Sequence, residues 1–257
     1  MSPSADSAGS LLASRVVPPR DPLPRPRRSL LYLPASDERA LDDARSSPAD
    51  AIMLDLEDAV APAGKPAARE LACAAVRSGG YGERELVIRV NGTDTEWHAE
   101  DLRAACAAGP EAVLVPKVGS PDVVQDIAQQ LADLGAPATT QLWAMLETPS
   151  AVLRAAEICA ASDRLSVVVV GTNDLTAELG AARVPGRRPL LTSLGLCLLA
   201  ARATGRVILD GVHNDLDDAD GFLAECRQGR ELGFDGKTLL HPAQVAVANQ
   251  VFGDGQG

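Results

Sequence analysis

The stretch Ala51–Val60, AIMLDLEDAV, starts as a buried strand would and then places Asp55, Glu57 and Asp58 almost side by side. Carboxylates this close repel one another unless a cation sits among them, so the stretch predicts an arginine, a lysine or a metal ion as partner. Other apolar runs also end in chemically able groups: Arg89 and Asn91 in VIRVN, Lys117 in VLVPK, Glu147 in WAMLE, Asn173 and Asp174 in VVVVGTND, then His213 and His241. Glu147 and Asp174 form a sparse oxygen pair of the kind Mg²⁺ accepts, with waters and substrate oxygens filling its remaining positions. With only three histidines, a His-based zinc or iron centre is disfavoured. Arg89 offers a planar fork for a substrate carboxylate, or alternatively a structural pair with Asp55, Glu57 or Asp58. A divalent ion beside such a clamp describes a site for an α-keto or α-hydroxy acid.

Lysine is scarce: Lys65, Lys117 and Lys237 are the only three among 24 basic residues. Lys117 follows a proline at a strand end, where a Schiff base is the competing chemistry. An acyl-enzyme route lacks its nucleophile, because no G-x-S-x-G elbow is present and no cysteine ends a strand. A P-loop is absent as well.

The elements that must position these residues alternate regularly. Short runs at Ser29–Leu33, Ala51–Leu56, Glu85–Asn91, Ala112–Val118, Gln141–Glu147, Ser166–Gly171, Arg206–Gly211 and Gly236–His241 read as strands. Helical stretches lie between them, including Pro66–Arg77, Pro121–Leu134, Ala151–Ala161 and Leu190–Ala203, several closed by a glycine. Eight right-handed strand–helix units predict an α/β fold closed as a (β/α)8 TIM barrel, whose strand ends share one face. No G-x-G-x-x-G follows the first strand, which weighs against an open dinucleotide-binding sheet.

Bulk properties narrow the class. The chain has 257 residues, 46% hydrophobic but only 3% aromatic, so the core is aliphatic. A net charge of −11 excludes a nucleic-acid face. No apolar run reaches the roughly 18 residues of a membrane span. The odd count of five cysteines, without paired spacing, reads as buried reduced thiols in a cytoplasmic protein. Residues 1–27 are rich in Pro, Ser and Arg and read as a disordered tail, leaving 28–257 as a single barrel domain.

In order along the chain stand RRSLLYLPAS, LDLEDAVAPAGKPAAR, VIRVNGTDTEW, VLVPKV, AMLETPSAV, VVVVGTNDL and GFDGKTLLHPAQV. From Arg28 to Phe252 this closely resembles the HpcH/HpaI aldolase and citrate lyase β-subunit family, in its CoA-ester lyase branch. The resemblance implies a Mg²⁺-dependent carbon–carbon lyase acting on a β-hydroxyacyl-CoA of the malyl-, citramalyl- or citryl-CoA type. It also implies a homo-oligomer, a trimer or hexamer. Carried over by motif, Glu147 and Asp174 would ligate the metal, and Arg89 would hold the keto-acid carboxylate. Glu57 and Asp58 would act through water and Arg89, with Asp55 and Lys117 in support. Gly171, Thr172 and Asn173 would meet the substrate acid, while Tyr32, Leu33, Pro34, Ala35, His241 and Pro242 would flank the thioester arm.

Two departures qualify the expectation. The acid-bearing extension that follows HPAQ in relatives is expected to be missing, since the sequence stops at Gly257. The first helix, from Asp37 to Arg45, is acidic where relatives carry CoA-binding bases. Alternatives are therefore a malyl-CoA thioesterase, a CoA-independent 2-keto acid aldolase, or a non-catalytic binding barrel.

Overall fold

The computed structural model describes residues 25–253. Its strands are β1 (Ser29–Pro34), β2 (Ala51–Asp55), β3 (Glu85–Arg89), β4 (Ala112–Val115), β5 (Gln141–Leu146), β6 (Leu165–Val170), β7 (Val207–Asp210) and β8 (Gly236–Leu239). They pair in parallel in sequence order, and β1 pairs with β8 to close the barrel. The helices are α1 (Glu38–Asp43), α2 (Lys65–Ser78), α3 (His98–Ala108), α4 (Pro121–Asp133) and α5 (Pro149–Leu153). They continue with α6 (Ala155–Ala160), α7 (Thr172–Glu178), α8 (Leu191–Thr204), α9 (Ala219–Leu232) and α10 (Val245–Gly253). The expected (β/α)8 barrel is what forms.

Strand periodicity of two sorts the side chains into two cores. Leu30, Met53, Val87, Leu114, Trp143, Met145, Val167 and Val169 fill the barrel interior. Leu31, Ile52, Leu54, Ile88, Val113, Val168 and Val170 face outward into the layer beneath the helices. Continuing each inward series by two residues brings Tyr32, Asp55, Arg89 and Glu147 to the C-terminal mouth, so the pleat that packs the interior also delivers the polar site.

Seven of the eight ladders stop earlier than the sequence suggests, while β1 runs one residue further, to Pro34. β4 ends at Val115 rather than Val118, because Pro116 has no N–H to donate. The helix expected over Ala151–Ala161 breaks at Arg154, which leaves the helical region between α5 and α6. Of the expected tail, residues 1–24 lie outside the described residues. Arg27, assigned to that tail, instead caps the barrel floor: its guanidinium forms two hydrogen bonds with Glu85, at 2.6 and 2.7 Å, and lies over the Trp143 ring. All five cysteines are buried and unbridged. Among the described residues, no helix is long and apolar enough to cross a membrane.

Candidate active site at the barrel mouth

Asp55 and Arg89 are register partners on β2 and β3. Adjacency in the sheet sets their side chains together, and Arg89 donates Nε–H and Nη2–H to the two Asp55 oxygens at 2.6 and 2.7 Å. Asp55 also accepts the backbone N–H groups of Glu57 and Ala59, at 2.9 and 3.1 Å, so both of its oxygens are fully used. The sequence reading gave Asp55 a supporting role; geometry makes it the anchor both of Arg89 and of the loop that carries Glu57 and Asp58. Glu57 Oε2 lies 2.7 Å from Arg89 Nη1, and Asp58 3.6 Å from the same nitrogen. Tyr32 stacks beneath the guanidinium, with the cation 5.0 Å from its ring centre. Burial drives the Tyr32 hydroxyl well above the ordinary tyrosine range, so it stays neutral. Burial opposes the Arg89 charge, but the carboxylates of Asp55 and Glu57 hold it firmly protonated.

Glu147 follows β5 and is 3% exposed. Its Oε1 accepts the backbone N–H of Lys117 at 2.6 Å. Lys117 reaches that position with a φ of +54°, which is left-handed backbone that side chains other than glycine rarely adopt. Burial pushes the Glu147 carboxyl up to about 7, with Glu57 and Asp174 adding to the effect. Burial likewise raises Glu57, although Arg89 and Lys117 counteract it. Burial works against the Lys117 ammonium, yet Glu57, 3.3 Å away, keeps its pKa above the ordinary lysine value. A Schiff-base lysine needs the opposite environment, so the competing reading of Lys117 loses its chemical basis.

Gly171 sits beside Glu147 because Leu146 and Val170 are register partners. A side chain there would overlap the Glu147 carboxylate and approach its Cβ to 2.5 Å, so only glycine fits against this acid. α7 begins at the next residue. Thr172, Asn173 and Asp174 form its first turn, where backbone N–H groups have no helical partner.

These groups surround one cavity of about 330 Å³, lined by Tyr32, Pro34, Asp55, Asp58, Arg89, Met145, Glu147 and the Gly171–Asp174 turn, with Val212, Thr238 and Leu240 opposite. Most of the expected site residues therefore meet. Leu33 and Ala35 do not bring side chains to it; both pack outward beneath the helices. His241 and Pro242 are exposed at the rim beyond β8, where the His241 ring accepts the Ala243 N–H and caps a short turn. Among the described residues, no three His, Cys, Asp or Glu side chains gather closely enough to hold a metal alone. Glu147 and Asp174 on one wall therefore suit a hard divalent ion such as Mg²⁺, which completes its shell with water and ligand oxygens. Glu147's raised pKa marks a buried carboxylate without a cation of its own, which fits the same ion.

Sequence reasoning missed how the lysines work. Lys65 donates to the carbonyls of Leu56 and Glu57 and to Asn91 Oδ1, at 2.8, 2.9 and 2.6 Å, and so fixes the acidic loop from behind. Lys237 lies fully buried under the mouth, bonded to Asp210 and paired with Glu225. The signal was their scarcity, noted in sequence without a role for either. Asp37 caps α1, Arg39 stands exposed on it beside Asp43, and Arg45, in the 3-10 turn that follows, is committed to Asp42 and the Gly79 carbonyl. This acidic helix offers little grip to phosphates.

An arginine and several carboxylates line a cavity at the C-terminal mouth of an eight-stranded parallel barrel, which defines a (β/α)8 protein whose candidate site is assembled from strand ends. Residues 28–242 match the HpcH/HpaI aldolase/citrate lyase family, and the chain belongs to that family. It is 51% identical over 227 residues to the (3S)-malyl-CoA thioesterase of Cereibacter sphaeroides, covering 88% of this chain and 77% of that protein. To the citrate lyase subunit beta of Leuconostoc mesenteroides subsp. cremoris it is 36% identical over 233 residues, covering 89% and 77%. The Mycobacterium tuberculosis citrate lyase beta subunit complexed with oxaloacetate and magnesium superposes with a TM-score of 0.74 at 34% identity, covering 88% of this chain and 96% of that one. The same organism's CitE in complex with magnesium, acetoacetate and coenzyme A gives 0.73 at 33%, covering 89% and 81%. Relatives thus include both a CoA-thioester hydrolase and a lyase subunit. The higher identity belongs to the hydrolase, which corrects the order in which the sequence ranked the two.

Proposed function

We infer that this protein hydrolyses the thioester of a malyl-type hydroxyacyl-CoA. The observation that carries the reading is its 51% identity to a malyl-CoA thioesterase over 88% of the chain. In this reading, water adds to the acyl carbon, the C–S bond breaks, and the CoA thiolate takes up a proton as the free acid forms.

Arg89 binds the distal carboxylate of the acyl group. Asp55 holds its Nε and Nη2 and Glu57 lies against Nη1, which leaves one N–H on each Nη for a ligand. Glu147 and Asp174 would hold Mg²⁺, which when bound supplies a fixed double charge and Lewis-acid polarisation of substrate oxygens. The Lys117 amide fixes Glu147 Oε1, so that acid presents a constant geometry to the cavity. Asp58 lines the cavity with a largely exposed side chain, and its carboxylate takes the proton from the attacking water. The apolar wall of Val212 and Leu240 receives the carbon chain.

A second reading, carbon–carbon cleavage to acetyl-CoA and glyoxylate, is favoured by the citrate lyase relatives and the oxaloacetate complex. Both reactions need the same clamp for the acid. Malyl-CoA incubated with Mg²⁺ separates them: hydrolysis releases a free thiol and malate, whereas cleavage yields a keto acid and no thiol. A keto acid in stoichiometric yield would replace the first reading with the second, and turnover indifferent to a chelator would remove the metal from both.

A further inference from the structure

Glu57 stands between two cations, with Oε2 2.7 Å from Arg89 Nη1 and Oε1 3.3 Å from Lys117 Nζ. Asp55 occupies Nε and one N–H of Nη2, and Glu57 covers Nη1, the nitrogen that Asp55 leaves free. Its other neighbours are Asp58, at 3.6 Å and largely exposed, and Met145 Sδ at 3.8 Å, a weak acceptor. An incoming carboxylate therefore meets an arginine already neutralised by an internal one, and two acids on one nitrogen repel. Lys117 offers Glu57 a second place to go. Its side chain is 47% exposed and free to follow, whereas its backbone amide is pinned to Glu147. The position would suit glycine, since φ is +54°, yet it carries a lysine.

We propose that Glu57 is a built-in surrogate for the substrate carboxylate, and that Lys117 is the positioning residue that draws it off Arg89 when the acid binds. Only an anion can exchange with Glu57, so the site selects acyl chains that end in a carboxylate and rejects neutral acyl groups of similar size. The proposal rests on Arg89 being the acid clamp.

Calorimetric titration of malate with Mg²⁺ present tests it in the wild type, K117M, K117R, E57Q and the E57Q/K117M double variant. All of these keep a backbone N–H at position 117, so Glu147 stays held. K117M is expected to weaken malate binding about fivefold, K117R to recover most of that, and melting temperature to stay within about 2 °C. In the E57Q background, K117M is expected to change affinity by less than about twofold, because no charge remains to be drawn away. The same loss in both backgrounds would show that Lys117 acts on the ligand or the fold, and the proposal would fall. K117M binding like wild type would also sink it. If wild type binds no malate, the acid-clamp reading fails before any variant is compared, and the proposal fails with it.

Discussion

The Asp55–Arg89 pair invites a quantitative test through Asp55→Asn, which keeps the shape and removes the charge. In the wild type, Asp55 is 1% exposed and accepts four hydrogen bonds, two from Arg89 and two from backbone amides. The asparagine amide nitrogen turns one of those oxygens into a donor, which in either orientation faces an Arg89 N–H and a backbone N–H, that of Glu57 or of Ala59. Removing one partner of a buried pair costs about 3–5 kcal/mol, since the other charge stays behind without solvent. Glu57 still lies 2.7 Å from Arg89 Nη1, so the loss should fall near the lower end. At about 2–4 °C per kcal/mol for a chain of this size, melting should drop by roughly 6–12 °C. Differential scanning calorimetry at pH 7 measures it. Adding Arg89→Met to Asp55→Asn should cost less than the sum of the single losses, because the stranded charge is gone. A drop under about 3 °C, or strict additivity, would refute the idea that this pair anchors the mouth.

Other expectations follow from the same geometry. Burial raises Glu147 to about 7, above its unfolded value of 4.5, so metal-free folded protein binds a proton that the unfolded chain releases. The stability from this group is full below pH 4.5 and lost as pH rises through about 7; Mg²⁺ competes with that proton, so its affinity should rise over the same range. Titrating Mg²⁺ at pH 6 and pH 8 checks this, and Glu147→Gln should abolish Mg²⁺ binding at both. Asp174→Asn should also abolish Mg²⁺ binding in calorimetry; unchanged affinity would take Asp174 out of the ligand set. Gly171→Ala should reduce Mg²⁺ affinity at least tenfold by displacing Glu147, with about 1–3 kcal/mol of overpacking visible in urea unfolding. Arg89→Lys should raise KM for the acid more than it lowers kcat, because an ammonium cannot serve Asp55 and a ligand with one planar fork.

Much of this was legible in the sequence, for identifiable reasons. Buried parallel strands are near-continuous Val, Leu and Ile runs, and every strand start was read to within a residue. Most strand ends were overrun because residues such as Val90 and Val118 continue the apolar pattern after the ladder has stopped; hydrogen bonding, unlike hydropathy, ends where a neighbour ends. That Glu57, Arg89, Glu147 and Asp174 converge followed from parallel strands sharing one mouth. Which acid grips Arg89 did not follow, since pairing depends on register between β2 and β3, and register is a relation between segments. The roles of Lys65 and Lys237 were hidden for the same reason: their partners at Asn91 and Asp210 lie a full strand–helix unit away.

The register partnership of Asp55 and Arg89 has a bearing on recombination. Barrels of this kind are natural candidates for exchange of whole strand–helix units between relatives, with each crossover placed in a loop. A crossover between β2 and β3 would pass through the segment joining the two halves of one buried ion pair, so parents differing at either position would yield a chimera with a stranded charge in its mouth. Crossovers after β3 keep the pair intact. β2 and β3 of this chain should therefore be inherited as a block, and shuffled libraries should show survivors sparse at that one junction.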